Sequence, residues 1–301
     1  MTPKPTRLLL SRHERLPRRK QVTIAIGILA AKGLVVAADT QESTGDYMKG
    51  AKGKIAAFYA YDGKWADSCV IAGAGDSGYV QALTEHLGQT FQAVDPKANM
   101  SMMEMSKKDS RPSLQSEFRD CVKRFYKEHI IPFAGYPERR RPDVEMLIAC
   151  QRKVVLGMFA TEKTVVNYTT PFKAIGIGCT FAELHLGKLW QGMTTEEAEI
   201  LAAYVVFLTK ESVEACGKYT TIATIKGPEI EESTTGGGSR MLPTQIAEFV
   251  HPGKIEKWEH SFRKKWWKAE KEKVFSLIRE EQTENDEPPN PSTRRKSTGR
   301  Q

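Results

Sequence analysis

The sequence has no apolar run approaching the ~20 residues that a helix needs to cross a bilayer. This argues against a membrane-spanning chain. Leu8-Leu9-Leu10 is too short for the apolar core of a secretory signal, and Arg12, Arg15, Arg18, Arg19 and Lys20 crowd behind it. Cysteine is scarce: Cys69, Cys121, Cys150, Cys179 and Cys216 are scattered, odd in number and without C-x-x-C spacing. That argues against a disulfide framework or a zinc site and favours reducing cytoplasm. No metal or cofactor is expected. The long middle of the chain lacks a strong charge of either sign. The formal net charge is +8, but residues 1–20 carry +6 and residues 254–301 carry +4, which leaves 21–253 at −2. Affinity for nucleic acid is therefore expected only through the basic termini. Residues 283–301 contain no apolar side chain and are expected to be disordered.

What is present suits one large domain with extensions. The 301 residues are 40% hydrophobic, enough for a substantial core. Residues 1–20, rich in Pro and Arg, read either as a propeptide or as a solvated basic arm. Strands are expected near 22–30, 33–39, 53–61 and 67–73, with Asp62-Gly63 as a hairpin signal between the last two. A helix follows over about 77–90, with Val80, Leu83 and Leu87 on its core face. Residues 95–113 hold four methionines among polar and turn residues. They read as a mobile insertion or as an adaptable partner surface. A second helix is expected near 114–131, with Phe118, Val122, Phe125 and Ile130 at core spacing and Pro132 as its stop. Strands return near 144–150, 153–160 and 163–168. A helix follows over 180–189, then another from the capping box at Thr194-Thr195-Glu196-Glu197 to about Cys216, and a closing strand at 219–226. Gly236-Gly237-Gly238 marks a linker across 228–253. A charged helix is expected over 254–282, with Trp258, Phe262, Trp266, Trp267 and Phe275. It reads either as an anionic-surface binder or as a solvated helix whose Trp face docks on a core or a neighbouring subunit.

The most informative segment is 22–55. An apolar strand opens on Thr23 and turns at Lys32-Gly33. A second apolar strand ends at Asp39, and a polar stretch leads to Lys54. A hydroxyl, a carboxylate and an amine thus lie at or near strand ends. A threonine hydroxyl is a weak nucleophile until a nearby amine takes its proton, and the α-amine of a cleaved chain can serve. A lysine beside it favours the alkoxide, and a buried aspartate holds the lysine and balances its charge. Thr23 is then the nucleophile, Lys54 the electrostatic activator and Asp39 the orienting carboxylate. The bland alternative makes Asp39 a turn acceptor and Lys54 a solvated side chain.

This segment resembles the start of proteasome β subunits and of the related bacterial peptidase subunit that partners an unfolding ATPase, both N-terminal nucleophile hydrolases. Further matches follow in order: Ile71-Ala72-Gly73-Ala74-Gly75-Asp76, Ala174-Ile175-Gly176-Ile177-Gly178 and Met193-Thr194-Thr195-Glu196-Glu197-Ala198. Met48-Lys49-Gly50 and the Gln41…Thr44-Gly45 pattern lean towards the bacterial peptidase. The resemblance spans roughly residues 22–227 and makes 21–227 the hydrolase domain. It implies an α+β fold, a four-layer αββα sandwich of two stacked antiparallel sheets flanked by helices, here with a C-terminal helical extension. It also implies a threonine-type endopeptidase that acts on unfolded polypeptide within a homo-oligomeric ring, with an ATPase unfoldase or related subunits as partners. The alternative is an inactive structural subunit of such a ring. Carried over by residue, Thr23 is the nucleophile, Asp39 its acidic partner and Lys54 the activating lysine, if one residue is deleted from the intervening loop. Gly73 carries the N–H that forms the oxyanion hole.

The chain also departs from that pattern. Gln21-Val22 precede Thr23 where glycine is usual, and Ile177 stands where a serine is usual. Val213-Glu214-Ala215-Cys216-Gly217 replaces Asp-x-x-Ser-Gly. Glu214 substitutes for that aspartate only if the register shifts by one. Cys179 and Cys216 fall near the expected site turns and read as reactive thiols or as small apolar packing.

Overall fold

The computed structural model describes residues 23–44, 48–51, 53–61, 66–93, 111–136, 142–152, 155–227, 230–231, 240–241 and 246–265. The expected N-terminal extension, most of the 95–113 insertion, Trp266, Trp267, Phe275 and the 283–301 tail lie outside these residues. The chain divides into two compact units, Met1–Glu256 and Lys257–Gln301.

The first unit is built on two antiparallel five-stranded sheets. Sheet one contains β1 (Ile24–Ala30), β2 (Gly33–Asp39), β10 (Phe172–Gly176), β11 (Thr220–Lys226) and β14 (Glu248–Phe249), in the order β10-β1-β2-β11-β14. Sheet two follows the chain: β5 (Ile55–Tyr61), β6 (Ala66–Gly75), β7 (Val144–Arg152), β8 (Val155–Glu162) and β9 (Val165–Tyr168). Two short hairpins, β3 (Gln41–Thr44) with β4 (Met48–Ala51) and β12 (Ile230–Glu231) with β13 (Arg240–Met241), stand apart from both. The helices of this unit are α1 (Ser77–Ala93), α2 (Arg111–Phe125), α3 (Cys179–Leu189) and α4 (Thr195–Ser212), and in the second unit the described residues 257–265 are helical.

Alternation along the strands separates the layers. Val70, Ala72 and Ala74 of β6 face Ala25, Leu34, Val36 and Ala38 of sheet one, and this makes the core between the sheets. Cys69 and Ile71, one residue out of phase, face Leu83, Leu87 and Phe91 of α1 and Phe118 and Val122 of α2. On the far side α4 packs on β1 and β2. It buries Ala198, Ala202, Ala203, Val205 and Val206, and its start carries the capping box in which Thr194 and Glu197 exchange side-chain and backbone hydrogen bonds. The layers run helix, sheet, sheet, helix, as expected.

Three details differ from the sequence reading. Residues 172–176 form an edge strand rather than only a glycine turn, because β1 offers them a free ladder: Ile24 pairs with Gly176 and Ile28 with Phe172. The second helix ends in a π turn over Tyr126–Ile130 and a 3-10 turn over Ile131–Phe133 that accommodates Pro132. Within the expected linker, Glu248–Phe249 pair with Ala223 and Thr224 and add a short edge to sheet one. Among the described residues no helix is long and apolar enough to cross a membrane.

Candidate active site

The β1–β2 hairpin brings the first two groups together. Its register sets Ala30 opposite Gly33 and Ala25 opposite Ala38. Thr23, just before β1, therefore returns to the level of Asp39 at the end of β2, although 16 residues separate them. The Thr23 hydroxyl donates to Asp39 Oδ1 at 3.3 Å, and the Ile24 N–H donates to the same oxygen at 3.2 Å. Lys54 comes from the other sheet, one residue before β5. Its ammonium donates to Asp39 Oδ1 at 2.8 Å, to the Thr23 hydroxyl oxygen and to the carbonyl of Gln41. An ammonium has three donors, and all three are engaged.

Asp39 is fully buried and Thr23 is 3% exposed. A buried carboxylate is costly unless it is paired and hydrogen-bonded. Here the second oxygen, Oδ2, accepts the Gly217 N–H at 2.9 Å. Four donors, from Thr23 and Ile24 at the start of β1, Lys54 just before β5 and Gly217 of the 213–217 loop, thus converge on one carboxylate. The structure brings Thr23, Asp39 and Lys54 into a single hydrogen-bonded cluster.

Gly73 sits beside this cluster with its N–H directed at the Lys54 carbonyl, at 3.3 Å. Any role for that N–H in binding an oxyanion requires this long bond to yield. Gly176 closes another side. Its φ is +89°, and a Cβ there would lie 2.3 Å from the Thr23 carbonyl oxygen, so only glycine fits both the backbone and the approach. The Gly176 N–H donates to Glu145 Oε2 at 2.7 Å, which places a β7 carboxylate at the same end of the sandwich.

The altered positions fall as follows. Ile177 is 47% exposed and offers no hydroxyl, and Glu214 is exposed. Cys216 is buried next to the cluster. Burial, with a further push from Asp39 and a smaller opposing pull from Lys54, raises its thiol to about 12. At neutral pH it is a neutral thiol, which fits the packing reading rather than the reactive one.

Sequence reasoning did not count Gln41 and Gly217 among the site residues. The Gln41 side chain is buried, and its Nε2 donates to the Ala215 carbonyl at 3.0 Å. A signal was present for Gln41: it lies two residues after Asp39 on an extended segment, hence on the same side. For Gly217 the signal was its place as the last residue of the stretch set against Asp-x-x-Ser-Gly, but its bond to Asp39 depends on the loop's return to β2.

No family model matches the chain, and no curated protein matches it. Solved structures do. An Anbu protein in a helical assembly from Pseudomonas aeruginosa has a TM-score of 0.63 at 14% identity, over 91% of this chain and 100% of that one. A Gly-1 mutant of Anbu from Hyphomicrobium sp. strain MC1 has 0.60 at 15%, over 84% and 96%. Anbu from Yersinia bercovieri, described as an ancestral beta-subunit, has 0.58 at 14%, over 84% and 97%. These neighbours correct the resemblance drawn above to proteasome β subunits and the bacterial peptidase. The matched proteins are Anbu, a related β-subunit type. At such identity the likeness shows the fold, a sandwich of the Anbu kind.

Proposed function

We propose that the chain is a threonine-type peptidase whose nucleophile is Thr23 after cleavage of the Val22–Thr23 bond. The observation that carries this reading is the cluster in which the Lys54 ammonium bonds both the Thr23 hydroxyl oxygen and Asp39 Oδ1. In the uncleaved chain the Thr23 nitrogen is an amide and cannot act as a base. Once freed, the α-amine takes the hydroxyl proton while Lys54 stabilises the alkoxide. Oγ1 attacks a peptide carbonyl, the C–N bond breaks, and the leaving amine takes the proton. Water then attacks the acyl ester and releases a carboxylate. A backbone N–H aimed at the developing oxyanion supplies ~3 kcal/mol in such reactions. Gly73 is the candidate donor. The substrate is unfolded polypeptide, and the working form is a homo-oligomer, in line with the assembled state of the Pseudomonas aeruginosa neighbour.

Intact-mass measurement of the expressed chain beside Thr23→Ala tests the reading. A wild-type chain beginning at Thr23, with an unprocessed variant, supports it. Full-length chains in both samples overturn it.

A second reading, an inactive subunit of such an assembly, is favoured by Val22 before the nucleophile, by Ile177 where a serine is usual and by the low exposure of Thr23. A peptidyl β-lactone separates the two. A covalent adduct on Thr23 excludes the inactive subunit.

A further inference from the structure

We infer that the Gln41 side chain is a positioning residue that locks the 213–217 loop onto the Thr23–Asp39–Lys54 cluster. The inference rests on the proposed function for its catalytic consequence and on geometry for its structural one.

Gln41 acts at two points. Its backbone carbonyl is the third acceptor of the Lys54 ammonium. Its side chain, 4% exposed, reaches to the opposite wall of the site, where Nε2 donates to the Ala215 carbonyl. Its Oε1 lies against Gly217, such that a Cβ at 217 would stand 2.4 Å from it. The Gly217 N–H is in turn the donor to Asp39 Oδ2. Asp39 and Gln41, two residues apart on the same side of an extended segment, therefore grip the same turn of chain. Asp39 holds it through the amide, and Gln41 holds it through the carbonyl two residues earlier and by contact with the glycine. The turn has other ties as well: the Val213 N–H donates to the Thr209 carbonyl, and just beyond it the Lys218 carbonyl accepts from Lys210 Nζ. Within the turn, Cys216 N–H donates to the Val213 carbonyl, and the Tyr219 N–H beyond it donates to the Thr40 hydroxyl.

Releasing the Gln41 amide frees the loop and removes the registration of the Gly217 N–H on Oδ2. The Asp39 carboxylate can then rotate, and Oδ1 is the oxygen that both Thr23 and Lys54 contact. A side chain at 217 would press on Gln41 Oε1 and displace the Gln41 amide. Gln41 touches no reacting atom through its side chain and acts through Asp39 and the loop.

The test is a double-mutant cycle of Gln41→Ala and Gly217→Ala, read in two ways. The first readout is hydrogen exchange at the Gly217 amide, followed by NMR. Gln41→Ala is expected to speed it by roughly 10-fold or more, with the β1 and β2 amides unchanged. The second is the rate of Thr23 acylation by a peptidyl β-lactone at saturating and sub-saturating probe. Gln41→Ala is expected to lower the maximal rate by roughly 10- to 100-fold and leave the half-saturating concentration within about 2-fold, as for a misplaced group. Gly217→Ala alone is expected to do the same. Added to Gln41→Ala it is expected to cost little more, since the obstructing oxygen is gone.

Unchanged exchange at Gly217 in Gln41→Ala overturns the inference, as do fully additive losses in the double variant. Should the wild-type chain take up no β-lactone, the proposed function fails, and the exchange readout still decides the role of Gln41.

Discussion

The Lys54 ammonium stands 2.8 Å from Asp39 Oδ1, in a pair whose aspartate is fully buried and whose lysine side chain is 11% exposed. The two residues come from different sheets, so the pair ties the layers of the sandwich together at the end where Thr23 lies.

Breaking that pair leaves a charge without its partner. Lys54→Met strands the Asp39 carboxylate with its remaining donors from Thr23, Ile24 and Gly217. Loss of one member of a buried pair typically costs about 3–5 kcal/mol. Urea denaturation is expected to show a loss of that order. Replacing both residues together, Asp39→Asn with Lys54→Met, is expected to cost less than the sum of the single changes. Equal stability of wild type and Lys54→Met contradicts the geometry.

Thr23→Ala separates the chemistry from the fold. The hydroxyl takes part in two hydrogen bonds of the cluster, but Asp39 keeps three other donors. Its removal is expected to lower stability by about 1 kcal/mol. Processing before residue 23 and labelling by a β-lactone are both expected to vanish. Urea melts and intact mass on the same samples check the two halves.

The thiols set an alkaline limit. Burial pushes Cys150 and Cys216 up to about 12 and Cys69 well above its ordinary value. Below about pH 8.5 these thiols are protonated in both states and add no pH dependence. Above it the unfolded chain loses protons that the folded chain keeps, so stability falls as pH rises towards 12. Each thiol contributes a slope of at most about 1.4 kcal/mol per pH unit. Denaturant midpoints between pH 8 and 10.5 test this, and a Cys216→Ala variant is expected to show a shallower decline. The same burial predicts that a thiol reagent labels Cys179 quickly in the folded protein, and the other four cysteines only after unfolding.

The two apolar layers are expected to respond separately. Phe118, fully buried under α2, packs against Phe159 with ring centroids 5.8 Å apart. Phe118→Ala is expected to cost about 3–5 kcal/mol through lost burial and a residual cavity. The geometry of the Thr23 cluster lies across sheet two from this layer, so β-lactone labelling of the folded fraction is expected to stay unchanged. Loss of labelling in a folded Phe118→Ala protein argues against that separation.

The sequence by itself determined the local elements and one half of the cluster. Apolar runs broken at Lys32-Gly33 specify a tight hairpin, and the hairpin register alone brings Asp39 beside Thr23 and Ile24, because pairing along a ladder is fixed once its turn is fixed. The Thr194 capping box likewise states in four residues where α4 begins. The strand at 172–176 was legible only as glycines, since its pairing depends on a free edge of β1 that no local pattern records. Only the tertiary structure decided that Lys54 reaches across from the second sheet. It also decided that the Gly73 N–H faces the Lys54 carbonyl and that the chain returns after α4 to set Gly217 and Ala215 against Asp39 and Gln41. Those contacts join segments up to 178 residues apart. They arise from how two sheets and a loop stack, and a side chain's partner across such a gap is set by packing rather than by its sequence neighbours.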